Sequence, residues 1–178
     1  MTYLSLLRGI NVGGKSKVEM ARLKKVYESI GFGEVRTYIN SGNVIFVDDR
    51  DAKKLRILIE RAIVNEFGFG VRVVLRDLDS MVSVAKAIPA SWKDDVSMRC
   101  YVMFLWEDVD KRNVLKHLTI KEGIDDVKYT PGAVIWRVDR DKLTRSGMMK
   151  LTSDELYQQM TIRNCNTVRK LVDMMKAS

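Results

Sequence analysis

VRTYINSGNVIFVD, residues 35–48, holds two β-rich runs, residues 35–39 and 44–47, separated only by Asn40-Ser41-Gly42-Asn43. Asparagine, serine and glycine are turn formers, each through its own backbone preference, so the pair reads as a hairpin. A parallel crossover takes about a dozen residues or more, so the second run must return antiparallel to the first. That reversal decides the fold. Upstream, Met20, Leu23, Tyr27 and Ile30 recur at helical spacing, and Gly31 closes the helix. Before it, residues 3–8 form a short apolar strand that stops at Gly9, and GINVGGKSK, residues 9–17, is too rich in glycine for regular structure. Downstream, Leu55, Leu58, Ile59, Ala62, Ile63 and Phe67 form the stripe of a second helix, ended by Gly68 and Gly70, before a fourth strand at residues 71–75. The order is β-α-β-β-α-β, that of a ferredoxin-like unit.

The second half repeats part of this order. Asp77 is a plausible cap for a third helix carrying Leu78, Met81, Val82 and Ala85, which stops before Pro89. Residues 98–106 read as a strand, residues 109–118 as a helix, and residues 127–130 and 134–138 as a hairpin through Pro131-Gly132. Helical segments near residues 154–160 and 168–175 finish the chain. The expected organisation is α+β: a ferredoxin-like βαββαβ subdomain in residues 1–88, a linker at 89–95, and a second, similar βαββ-containing subdomain with C-terminal helices in 96–178.

The 178 residues are 46% hydrophobic and 30% charged, ordinary for a globular protein. No run reaches the ~18 apolar residues of a membrane helix. The opening MTYLSLLRGIN lacks the basic stretch and cleavage site of a signal peptide. Cys100 and Cys165 have neither metal-ligand spacing nor the number for a disulfide framework, so reduced thiols in a cytoplasm are expected. The net charge is +8, and it is concentrated at the two ends of the chain: residues 1–30 and residues 142–178 carry +4 each. A basic balance favours acidic partners and says nothing about fold.

Strand directions gather the loops. The end of the first strand (residues 9–15), the turn at residues 40–43 and the start of the fourth strand (residues 68–70) fall at one sheet edge, with glycines, asparagines and lysines together. GINVGGKS, residues 9–16, also satisfies the phosphate-loop pattern, and VIFVD, residues 44–48, resembles the strand ending in a magnesium-binding Asp. The antiparallel return of that strand opposes this reading, because it carries Asp48 to the far edge from Lys15. Other signals are weaker. His117 has no accompanying nucleophile signature and reads as a surface residue. Cys165 sits beside a helix start, where a thiol is acidified, though packing accounts for it equally. Asp48-Asp49, Asp94-Asp95 and Asp125-Asp126 are sequence neighbours that point apart in extended chain, so they read as solvated loops. Asn166 or Thr167 would cap the last helix, and Arg163 at its exposed start would suit an anion.

LLRGINVGGKSKVEMARLKKVYESIGFGEVRTYINSGNVIF, residues 6–46, resembles the opening of a bacterial family known as domain of unknown function 1697, and TIRNCNTVRKL, residues 161–171, resembles its closing motif. The resemblance implies ferredoxin-like subdomains and no particular reaction. The matched positions are Arg8, Gly9, Asn11, Gly13, Gly14, Tyr38, Ser41, Gly42, Asn43, Thr161, Arg163, Asn164 and Thr167. Residues 144–151 depart from the compact Ser-Lys-Leu of relatives, which leaves Lys150 without an assigned role. The resulting candidate ligand site is Arg8, Gly9, Asn11, Gly13, Gly14, Lys15, Tyr38, Ser41, Asn43, Arg163 and Asn164, with no metal and no nameable cofactor. The expected function is binding of a small anionic or phosphorylated ligand at the Gly/Asn/Lys-rich edge. The alternatives are a nucleic-acid module, for which Tyr3 and Phe46 are the strand aromatics, and a phosphate-loop enzyme.

Overall fold

Residues 1–177 are described by a computed structural model of the chain. They form two compact units, residues 1–79 with 173–177 and residues 80–172. The fold is α+β, with one four-stranded antiparallel sheet in each half of the chain.

In the first unit the strands are β1 (Thr2–Leu7), β2 (Gly33–Tyr38), β3 (Asn43–Val47) and β4 (Val73–Asp77), in spatial order β2-β3-β1-β4. β3 and β4 both pair antiparallel with β1, and β2 pairs antiparallel with β3. That is the ferredoxin-like order expected from the short turn. Two helices, α1 (Met20–Ser29) and α2 (Ala52–Phe67), supply the crossovers. Their apolar stripes, Leu23 and Tyr27 on α1 and Leu55, Ile59 and Ile63 on α2, form one core with Tyr3, Leu7, Val44, Phe46 and Val73 of the sheet. Because side chains alternate across a strand, Ser5 shares the face of Tyr3 and Leu7. Its hydroxyl meets the Tyr27 hydroxyl at 2.7 Å, which satisfies two polar groups inside that core.

β4 begins two residues later than its apolar run suggests and reaches Asp77, directly before α3 (Leu78–Ala87). The second unit contains β5 (Met98–Leu105), β6 (Asp125–Thr130), β7 (Ala133–Asp139) and β8 (Met160–Asn164), in the order β6-β7-β5-β8. Its sheet topology therefore repeats that of the first unit. Where the first unit has α-helical crossovers, this one has short 3-10 segments: Glu107–Val109 and Arg112–His117 before β6, then Arg140–Arg145, Gly147–Ser153 and Glu155–Gln159 before β8. α4 (Cys165–Lys176) follows β8 directly.

Three expectations are corrected here. Residues 109–118 are not one α-helix, because Asp110 leaves the helical region (φ −75°, ψ 72°). Its carboxylate instead accepts from the Gly132 amide at 2.8 Å and the Tyr129 hydroxyl at 3.1 Å, tying down the β6–β7 turn. Residues 160–164 are a strand, where the sequence suggests a helical segment ending near residue 160 and no element between it and the last helix. Asp125 is not a solvated loop residue. It is buried, and its carboxylate accepts from the Lys121 amide, the Trp136 indole, the Gly147 amide and the Ser146 hydroxyl. Burial alone would raise its pKa, but those four donors outweigh it and hold the carboxyl below the ordinary value.

Candidate functional site

At the C-terminal end of β1 the chain enters its glycine-rich loop. The Leu7 amide bonds the Gly42 carbonyl at 2.8 Å, and the Arg8 amide bonds the Arg72 carbonyl at 3.0 Å. The loop therefore lies between the β2–β3 turn and the chain entering β4, as strand directions predict. Gly42 is fixed by close approach: a Cβ there would lie 2.7 Å from Leu7 Cβ and 2.8 Å from Ile10 Cδ1, at φ +78°.

Within the loop, Val12-Gly13-Gly14-Lys15 forms a tight turn. The Lys15 amide bonds the Val12 carbonyl, and Gly13 and Gly14 have φ of 59° and 75°. Positive φ at both central positions defines a type I′ turn, which explains the Gly-Gly pair without any ligand. Next to it, Asn11 (φ 55°) is a clamp. Its Nδ2 donates to the Val18 and Asn40 carbonyls, both at 2.9 Å, and its Oδ1 accepts from the Val18 amide at 2.8 Å. One side chain thus ties the glycine loop, the approach to α1 and the β2–β3 turn together.

These residues border an open pocket of about 510 Å³ lined by Asn11, Gly14, Lys17, Val18, Glu19, Met20 and Asn40. The pocket lies at the N-terminus of α1. The first intrahelical bond there runs from the Leu23 amide to the Glu19 carbonyl, and the Glu19 side chain at the N-cap position makes no capping hydrogen bond. The amides of Met20, Ala21 and Arg22 precede that bond and have no carbonyl within the helix to receive them. Lys17 is exposed and carries the positive charge of the lining. The reading of the sequence placed Asn40 at this edge with the turn at residues 40–43, without naming it as a ligand residue, and missed Lys17, Val18, Glu19 and Met20. Their only signal was an uncapped helix start directly after the glycine loop.

The other expected site residues fall as follows. Gly9, Gly13, Gly14 and Lys15 are exposed and Arg8 is half-buried, all at this edge. Asn43 is wholly buried, and its amide donates to the Tyr38 carbonyl and the Ser41 hydroxyl, both at 2.9 Å. It closes the turn from inside rather than facing solvent. Arg163 and Asn164 lie on β8 in the second unit. Arg163 is buried, not exposed at a helix start, and donates to Thr161 Oγ1 at 3.0 Å and the Ile162 carbonyl at 2.7 Å. Its burial pulls its pKa down to about 10. Asn164, not Asn166 or Thr167, caps α4: its Oδ1 accepts the Thr167 amide at 2.8 Å.

The phosphate-loop geometry is absent. Thr2 pairs with Val47, and the Asp48 amide bonds the Met1 carbonyl at 3.0 Å, so Asp48 lies at the opposite end of β1 from Lys15. There Asp48 is ion-paired with Arg50 at 2.6 Å, which holds its carboxyl below the ordinary value. Tyr3 and Phe46 stack on each other in the core, ring centroids 5.7 Å apart, and offer no surface for bases. Among the described residues no group of three His, Cys, Asp or Glu side chains is placed to hold a metal ion, and no helix is long and apolar enough to cross a membrane.

The structure of a conserved bacterial protein, SP0830 from Streptococcus pneumoniae, is similar to this chain with a TM-score of 0.84 at 28% identity, over 98% of each chain. No curated protein matches it. Residues 1–136 match the family described as protein of unknown function (DUF1697), and the chain belongs to that family.

Proposed function

We propose that the first unit binds a small anionic ligand, a phosphorylated metabolite being the favoured class, in the pocket between the glycine loop and the start of α1. The observation that carries this reading is the uncapped N-terminus of α1 opening into a pocket that Lys17 borders. Amides without an acceptor in the helix and the positive end of the helix dipole favour negative charge there. The exposed Gly13 and Gly14 amides, which enter no hydrogen bond among the described residues, add donors nearby. The Asn11 clamp supports the same reading, because it fixes the pocket walls before any ligand arrives. Glu19 borders the same pocket, so the ligand must also present a donor or turn its anionic group away from that carboxylate.

The test is a thermal-shift screen of the whole protein against phosphorylated metabolites, nucleotides and oligonucleotides. A ligand that binds only the folded state raises the melting temperature by mass action. Stabilisation by a phosphorylated metabolite, lost in Lys17→Ala, supports the reading. Stabilisation by oligonucleotides alone, with steep salt dependence, would favour the nucleic-acid alternative instead.

A further inference from the structure

Both cysteines of the chain lie in the second unit, and both are wholly buried. β5 and β8 run antiparallel and their last pair is Tyr101 with Asn164, so Cys100 and Cys165 each lie one residue beyond that pair, Cys165 as the first residue of α4. Antiparallel partners have Cα atoms about 4.5–5.5 Å apart, and the two cysteines adjoin the last such pair. That spacing lies within the roughly 4.4–6.8 Å that a disulfide spans.

The surroundings of Cys165 differ from those of a packing residue. It is the first residue of the twelve-residue α4, at the amide end of the helix. Arg169 Nη1 donates to its Sγ at 3.7 Å, while the Cys165 S–H faces two acceptors, the Asn166 Oδ1 at 3.6 Å and the Trp92 carbonyl at 3.7 Å. The neighbouring Cys100 thiol and the Arg169 guanidinium hold the Cys165 thiol below its ordinary pKa against its burial. The neighbouring Cys165 thiol and burial push Cys100 up. The environment thus separates one thiol fitted to attack from one fitted to wait protonated beside it.

We propose that Cys100 and Cys165 form a redox site, in which a peroxide converts them to an intramolecular disulfide and a dithiol reductant restores them. The Cys165 thiolate sulfur attacks one peroxide oxygen. The O–O bond breaks, hydroxide leaves and takes up a proton, and Cys165 becomes a sulfenic acid. The Cys100 sulfur then attacks that sulfur, the S–O bond breaks, and a second water leaves with the Cys100 proton. Two electrons and two protons pass from the thiol pair to the peroxide. The cover over the pair is residues 89–97, which contain no helix or strand. Arg169 holds this segment through the Pro89 and Trp92 carbonyls at 3.1 and 2.8 Å, and Asn166 holds it through the Asp94 carbonyl at 2.8 Å. Opening of that segment admits the oxidant.

The test treats the folded full-length protein with hydrogen peroxide, blocks remaining thiols by alkylation, and maps peptides by mass spectrometry. The expected product joins the Cys100 and Cys165 peptides, lowers the chain mass by about 2 Da for the two hydrogens lost, and reverts with dithiothreitol. In Cys100→Ser no link forms, and Cys165 accumulates as sulfinic acid instead. Parent protein in which both thiols stay reduced until denaturant is added would overturn the proposal. So would sulfinic acid forming at Cys165 as fast in the parent as in Cys100→Ser. If the variant does not fold, as circular dichroism would reveal, the product formed in the parent alone decides.

Discussion

A Cβ placed on Gly147 would lie 1.6 Å from the Thr119 carbonyl oxygen and 3.2 Å from Asp125 Oδ2. The Gly147 amide also bonds that carboxylate at 2.9 Å, so the backbone cannot retreat without losing it. Gly147→Ala should therefore cost about 3 kcal/mol, the upper range for forced overpacking, as read by urea unfolding. Asp125 supplies a second prediction at this scale. Its folded pKa lies below the unfolded value, so its stabilisation is present above that unfolded value and is lost as pH falls through the folded pKa. Stability of the parent should hold near neutral pH and fall below about pH 4, and Asp125→Asn should flatten part of that acid slope. The same substitution should cost roughly 1–3 kcal/mol at neutral pH, because an amide cannot accept from four donors. Neither residue was legible as structural. A neighbouring acidic pair reads as solvated until the indole of Trp136 and the turn at Ser146-Gly147 are brought to it across the fold.

The uncapped start of α1 gives a prediction that separates helix stability from ligand binding. Glu19 holds the N-cap position in extended conformation without a side-chain hydrogen bond. Aspartate is a strong N-cap residue, so Glu19→Asp should stabilise the protein by about 0.5–1 kcal/mol while occupying the amides an anion would use. The expected signature is a higher melting temperature with weaker anion binding, from melting curves with and without ligand. By contrast, α4 already has its cap, and Asn164→Ala should cost about 1 kcal/mol in the same measurement. The elements of the first unit were legible because turn chemistry and period agreed: Asn40-Ser41-Gly42-Asn43 closes a hairpin, and the stripes of α1 and α2 face one core. β8 was not, because MTIRN is short and carries a buried arginine, and Leu156 and Tyr157 just before it mimic a helix approach. Residues 109–118 misled for the opposite reason. Val109, Val114, Leu115 and Leu118 keep helical spacing, but the demand of the β6–β7 turn on Asp110 breaks the helix.

Across the whole molecule one sheet topology occurs twice, and the two copies differ in what connects their strands. The first copy has two α-helical crossovers, one of which begins at the candidate pocket. The second has 3-10 crossovers pinned by buried carboxylate contacts and contains the thiol pair. The sequence located the first site only at its border: it singled out Asn11 and Gly14, while the amides that would receive an anion belong to helix residues of no special type. Lys17→Ala should weaken a bound phosphorylated ligand by about 1–2 kcal/mol, the size of a partly exposed charge-assisted contact, and leave the melting temperature of the free protein unchanged. Lys15→Ala should do less, since Lys15 does not line the pocket. The most direct measurement is an amide chemical-shift titration of the full chain with inorganic phosphate. Binding at this edge predicts saturable shifts centred on Gly14, Lys17, Met20, Ala21 and Arg22, and their loss in Glu19→Asp. Shifts spread evenly over the basic surface, or none at these amides at saturating phosphate, would contradict it.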